Sequence, residues 1–220
     1  MNMYSCVVFD MDGTLTNTNR LIFDSFNHIV ETYRGGRMAD HEIAALFGPP
    51  EEGALRAIVG DECLEEALQR YLDFYRAHHR SLASVYVGIP ELLEELYDRG
   101  VLLALFTGKG RQTAAISLEI LGLTRFFRKV VTGNDVVRHK PSGEGIASIL
   151  AEFRVPRERT LMVGDSAADI LAAREAGVPV ASVLWDSYAK ERVLQHERDF
   201  TFHAVDDFAA WARTVTVNAR

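Results

Sequence analysis

Short apolar runs rich in β-branched residues recur along this chain, at Tyr4 to Phe9, Val101 to Phe106, Lys129 to Thr132, Thr160 to Val163 and Val178 to Leu184. Runs of that length without alternation suit strands covered on both faces, and the segments between the later runs have helical period. Strand alternating with helix implies an α/β fold built on a doubly wound parallel sheet. The helices are punctuated as expected. Ile89 to Leu96 sets Leu92, Leu93 and Leu96 on one face and stops at Arg99-Gly100; Arg111 to Leu121 runs to Gly122; Ala167 to Ala176 ends at Gly177 with Pro179 just beyond.

The stretch from about Thr16 to Val87 behaves differently. It carries helical spacing (Leu21, Ile22, Phe26, Ile29, Tyr33, then Leu64, Leu68, Tyr71, Leu72, Tyr75) and no convincing strand. We therefore expect a core of residues 1–15 and 88–220, with residues 16–87 as a small all-helical cap inserted after the first strand. Leaving there, the cap sits over the carboxyl end of that strand, the edge where open α/β sheets bind ligands.

Composition narrows the function. The 220 residues are 48% hydrophobic and 25% charged, enough for a sizeable core. Acids outnumber bases 31 to 24, with a net charge of −7 and no long basic tract, which argues against nucleic acid as a partner. The longest apolar run, Val101 to Phe106, falls far short of the roughly 20 residues that cross a bilayer. Met1 to Gly13 lacks a cationic leader, and Cys6 and Cys63 are the only thiols, so a secretory signal and a disulfide framework are not expected and a reducing cytoplasm is. His78 and His79 are adjacent and point apart on a helix, which makes zinc improbable, and Gly108-Lys-Gly110 lacks the third glycine of a dinucleotide fingerprint.

The chemistry-bearing residues fall at strand ends. Asp10 and Asp12 bracket one residue at the end of the first run, and Gly13 lets the backbone fold closely around them. Two acids so close repel unless a cation or shared proton intervenes; the structural alternative is an Asx turn. Asp165 ends another run, with Asp169 one helical turn further on. A divalent cation with oxygen ligands, Mg²⁺ above all, is the simplest remedy for such a cluster, against a purely structural use of Asp165 as a helix N-cap. Thr107-Gly108 delivers a hydroxyl and an amide at a third strand end, which suits an anion, and Lys140 before Pro141, expected to open the next helix, is either a charge clamp or solvated surface.

Together these residues resemble the motifs of the haloacid dehalogenase-like phosphatases. Asp10-Met-Asp12-Gly13-Thr14-Leu15 is similar to the first, Phe106-Thr107-Gly108 to the second, Lys140-Pro141 to the third and Gly164-Asp165-Ser166-Ala-Ala-Asp169 to the fourth, in order along essentially the whole chain. The resemblance implies a Rossmann-like core and an aspartyl-phosphate on Asp10. It makes Asp12 the general acid and base, which favours phosphate over halide as the leaving chemistry. Mg²⁺ would be held by the side chains of Asp10 and Asp165 and the backbone carbonyl of Asp12, with Asp169 beside it, while Thr107, the Gly108 amide and Lys140 would grip the phosphoryl group. The helical insert, Asn17-Thr-Asn-Arg-Leu-Ile and Leu46-Phe-Gly48-Pro49-Pro50 resemble bacterial phosphoglycolate phosphatases and related small inorganic pyrophosphatases.

A small phosphorylated metabolite such as 2-phosphoglycolate is then the expected substrate of a monomer or homodimer, with pyrophosphatase and sugar-phosphate phosphomutase as alternatives. A receiver-like signalling module has no use for Asp12 or the cap. The second motif departs from the usual pattern in reading Thr107-Gly108-Lys109-Gly110, and the third in having Gly143 in place of a second proline. The segment from Phe47 to Gly53 is either a loop dipping toward the site or a plain linker. Arg20, Arg56, Lys109 and Arg111 are candidate contacts for a second anionic group, with solvated surface charge as the alternative reading of each.

Overall fold

The computed structural model describes residues 3–46, 48–185, 187 and 190–219. Strand β1 (Cys6–Phe9) leads through the two-residue β2 (Thr16–Asn17) into helices α1 (Asn19–Arg34), α2 (Asp40–Ala44), α3 (Glu51–Val59) and α4 (Leu64–Leu82). The two-residue β3 (Ser84–Val85) brings the chain back to α5 (Ile89–Asp98), β4 (Leu102–Phe106), α6 (Arg111–Ile120), β5 (Lys129–Val131) and α7 (Glu144–Phe153). Then follow β6 (Thr160–Gly164), α8 (Ala167–Ala176), β7 (Val180–Val183), α9 (Lys190–Leu194), β8 (Phe200–Phe202) and α10 (Val205–Val215).

Six strands form one parallel sheet in the order β5-β4-β1-β6-β7-β8, so the chain steps outward from β1 in one direction and then in the other. Burial on both faces explains the unbroken apolar runs. Val7 and Phe9 of β1 join Leu103, Leu105, Leu161 and Val163 in one cluster under α5 and α10, while Cys6, Val8, Ala104, Phe106 and Met162 join α7 and α8 in the other. With β4 and β6 on either side, the carboxyl end of β1 is the switch point where such a sheet opens a crevice.

The helical insert has a third cluster, in which Leu21, Phe26 and Ile29 of α1 meet Leu55 and Ile58 of α3 and Tyr71, Leu72 and Tyr75 of α4. Ile116 of α6 is buried in that cluster and Ile120 packs against it, so one sheet-flanking helix also serves as the cap's floor. The seam carries hydrogen bonds as well: the Ser117 hydroxyl meets Tyr75 Oη at 2.8 Å and His79 Nε2 at 2.9 Å. Burial, aided by nearby Lys109, lowers the His79 pKa to about 4, which keeps the ring neutral in the seam.

Three expectations need correcting. The insert is not wholly helical, since β2 and β3 pair antiparallel (Thr16 with Val85, Asn17 with Ser84) and clasp its two crossings; two residues are too few to show a period. The chain beyond β7 adds α9, β8 and α10, which the sequence reading did not anticipate. Lys140 does not open a helix: α7 begins at Glu144, and Lys140 sits in the preceding turn, where its peptide bond to Pro141 is cis. Among the described residues no helix is long and apolar enough to cross a membrane. If α6 is the cap's floor, Ile116→Ala should cost about 2–5 kcal/mol, read as a lowered urea midpoint. A change within experimental error would mean that the cap does not depend on that helix.

Candidate active site

Asp10, Thr107 and Asp165 each follow the last residue or two of β1, β4 and β6, so parallel pairing alone brings them to one sheet edge. The pairing runs on into the site: Asp10 N–H donates to Val163 O (2.8 Å) and Thr107 N–H to Val131 O (3.0 Å). Beyond Asp10 the chain turns tightly, with the amides of Leu15 and Thr16 both donating to Met11 O (2.9 and 3.0 Å). Gly13 lies in this turn at φ +81°, and a Cβ there would run into the Asp165 carboxylate. Only glycine meets both conditions.

One oxygen from each of Asp10, Asp165 and Asp169 lies within 4.8 Å of the other two. Lys140 Nζ bridges two of these acids, at 2.7 Å from Asp10 Oδ1 and 2.6 Å from Asp169 Oδ1, and rests 4.7 Å from the centre of the Phe106 ring. Asp169 is fully buried and also caps α8: its Oδ2 accepts from the Ser166 amide (3.0 Å) and hydroxyl (2.6 Å). Ser166, not Asp165, is therefore the N-cap. The Asp165 carboxylate accepts from the Thr14 hydroxyl at 3.3 Å, its carbonyl from the Ser187 hydroxyl at 2.7 Å, and among the described residues no ammonium lies within ion-pair distance of it.

Asp12 turns away from this triad. Its Oδ1 accepts from the Thr18 hydroxyl and its Oδ2 from Lys109 Nζ at 3.1 Å. Lys109 corrects the surface reading of that residue, since its side chain is only 2% exposed. Burial opposes its charge, yet Asp12, Tyr75 and Glu51 keep it protonated, with a pKa above the ordinary lysine value. The other three candidates are surface ion pairs: Arg20 with Asp24, Arg56 with Asp61 and Arg111 with Asp135.

The electrostatics show what the cluster would accept. Burial, reinforced by Asp169 and Asp12 and opposed by Lys140, lifts Asp10 to about 7. Asp165 is raised well above the carboxylate range by burial and by Asp10 and Asp169. With every acid ionised, these four carboxylates would face two ammoniums and leave two negative charges on oxygen ligands around Asp165, the repulsion that burial turns into raised pKa values. One hard divalent cation fits that donor set and that charge.

These groups floor a cavity of about 790 Å³, which Asp10, Asp12, Thr107, Gly108, Lys140 and Asp165 all line, with Asn19, His41 and Glu51 of the insert opposite. The segment after α2 both links helices and lines the cavity, and α3 starts within it, at Glu51; Phe47 lies outside the described residues. Glu51 fastens this wall to the core, its carboxylate accepting from the Gly110 amide and the Thr113 hydroxyl, both at 2.7 Å. Thr14, Thr18, Glu51 and the inward course of Lys109 escaped the sequence reading. A hint was that Lys109 lies three residues past the end of β4, on the same edge as the acids.

The chain is similar to known proteins in sequence and in fold. Residues 7–183 match the family model for haloacid dehalogenase-like hydrolases. A pyrophosphatase PpaX of Anoxybacillus flavithermus is 36% identical over 91% of this chain and 93% of its own, and one of Halalkalibacterium halodurans is 35% identical over the same shares. Among solved structures, a predicted phosphoglycolate phosphatase from Haemophilus somnus superposes with a TM-score of 0.85 over 96% of this chain and 99% of its own, at 21% identity. The chain therefore belongs to the haloacid dehalogenase-like hydrolase family.

Proposed function

We propose that this chain is a Mg²⁺-dependent phosphatase that works through an aspartyl-phosphate on Asp10. The observation that carries the reading is the charge balance at the sheet edge, where two lysines neutralise part of a four-carboxylate cluster and leave room for one divalent cation beside Asp165. The side chains of Asp10 and Asp165 and the backbone carbonyl of Asp12 would hold Mg²⁺, with Asp169 beside them. When bound, the ion supplies neutralisation of the phosphoryl oxygens as charge moves onto them.

The chain's own groups do the rest. Asp10 attacks phosphorus from the end of β1, where the strand fixes its direction. Thr107, the Gly108 amide and Lys140 grip the transferring group. Asp12, facing away from the triad, gives a proton to the departing oxygen and later takes one from the attacking water, a contribution of roughly 10²- to 10⁴-fold.

Inorganic pyrophosphate is the first substrate to test, on the similarity to the PpaX pyrophosphatases. 2-Phosphoglycolate is the second, supported by the sequence resemblance. A sugar-phosphate mutase would return the group rather than release it. Both cysteines are free, in keeping with a cytoplasmic enzyme.

Phosphate release should be measured across pyrophosphate, 2-phosphoglycolate and a panel of phosphate monoesters, with and without Mg²⁺. Asp10→Asn should lose turnover on the order of 10³-fold or more while keeping its fold; near-normal release by that variant would remove the nucleophile. Stability gives a second check. Asp10 binds its proton more tightly folded than unfolded, so metal-free protein is most stabilised by this group below the ordinary carboxylate range. That contribution is lost as pH rises through about 7. A divalent cation relieves the same repulsion, so Mg²⁺ should raise the melting temperature more at about pH 8 than at about pH 5. Equal shifts at both would place the ion away from these acids.

A further inference from the structure

The geometry points to Lys109 as a positioning residue that holds Asp12 as the base for the water step, with Tyr75 of the cap as its seat. This rests on the reading of Asp10 and Asp12 given above. The chain's two buried lysines divide the carboxylates between them: Lys140 is taken up by Asp10 and Asp169, while Lys109 serves Asp12 alone. Its Nζ lies 3.1 Å from Asp12 Oδ2 and 5.1 Å from the centre of the Tyr75 ring, with almost no side-chain exposure. The Thr18 hydroxyl holds the other Asp12 oxygen. Gripped at both oxygens, the carboxylate loses its rotational freedom and is held in one orientation toward the site.

The seat is itself fixed. Tyr75 reaches the Ser117 hydroxyl of α6 at 2.8 Å, and the same hydroxyl meets His79. The amide next to Lys109, that of Gly110, is held by Glu51 of α3. Lys109 is thus seated through its side chain by one cap helix and steadied through its neighbour's amide by another, while its own backbone bonds to Thr107 and Gly133 of the core, and the proton-transfer group depends on cap residues that need not touch the substrate.

In the step concerned, the water oxygen forms a bond to phosphorus as Asp12 takes a water proton. The bond from phosphorus to Asp10 breaks with its electron pair returning to the Asp10 carboxylate, and inorganic phosphate is released. Without Lys109, formation of the phosphoenzyme from a donor whose leaving group needs no proton should persist while its hydrolysis slows.

The full-length protein with Mg²⁺ is mixed with acetyl phosphate and quenched in acid, and the phosphorylated fraction is read by intact-protein mass spectrometry alongside steady-state phosphate release. Lys109→Met should release phosphate on the order of 10²-fold more slowly and accumulate phosphoenzyme that wild type does not. A role confined to packing would lower formation and hydrolysis together, with no accumulation, and would overturn the proposal, as would normal turnover by the variant. Should Lys109→Met fail to fold, Tyr75→Leu, which removes only the seat, should accumulate phosphoenzyme more than Tyr75→Phe, which keeps the ring; equal behaviour of the two overturns it. Asp12→Asn separates the two levels. Phosphoenzyme there but not in Lys109→Met removes the positioning role alone, whereas none in Asp12→Asn removes the reading of Asp10 and Asp12 on which it rests.

Discussion

Repulsion among four carboxylates at one sheet edge is the constraint to which the rest of this molecule answers. Asp10 and Asp165 are pushed toward neutrality by burial, Asp10 also by Asp169 and Asp12 and Asp165 by Asp10 and Asp169, and Lys140 offsets only part of that cost. A cluster so arranged is poor for stability when nothing is bound. On the function proposed above, such a cluster is completed by cationic charge and then holds an anionic group.

The parallel sheet makes the cluster possible. Strands β1, β4 and β6 are adjacent and run the same way, so residues distant in the chain reach one point without any long loop to order. Acids carried on flexible connections would separate to relieve their repulsion. Here the hydrogen-bonded register of β1 against β6, extended by the Asp10 amide to Val163, prevents it.

Much of this was legible in the sequence, for a definite reason. Asp10, Asp165 and Thr107 each follow an apolar run whose end is sharp, so a strand reading places them on an edge at once. Asp169 follows from helical spacing. Lys109 did not yield to that logic, because its side chain is buried by Tyr75, a residue of the cap, and no local pattern reports a contact made across two layers. The clasp of β2 with β3 was missed because two-residue strands carry no period. The elements after β7 were missed for another reason: Phe200–Phe202 is short and only partly buried, and its aromatic packing against Phe208 and Trp211 exists only once α10 has folded over it.

Helix α6 belongs to two interiors at once, flanking the sheet through Leu118 while its Ile116 and Ser117 lie under the cap. A cap excised at its two crossings would leave behind part of its own hydrophobic floor and strip partners from Tyr75 and His79. Exchange of caps between relatives therefore has to carry the cap-facing side of this helix along with the insert, because the unit that recombines is larger than the one that the chain's path outlines.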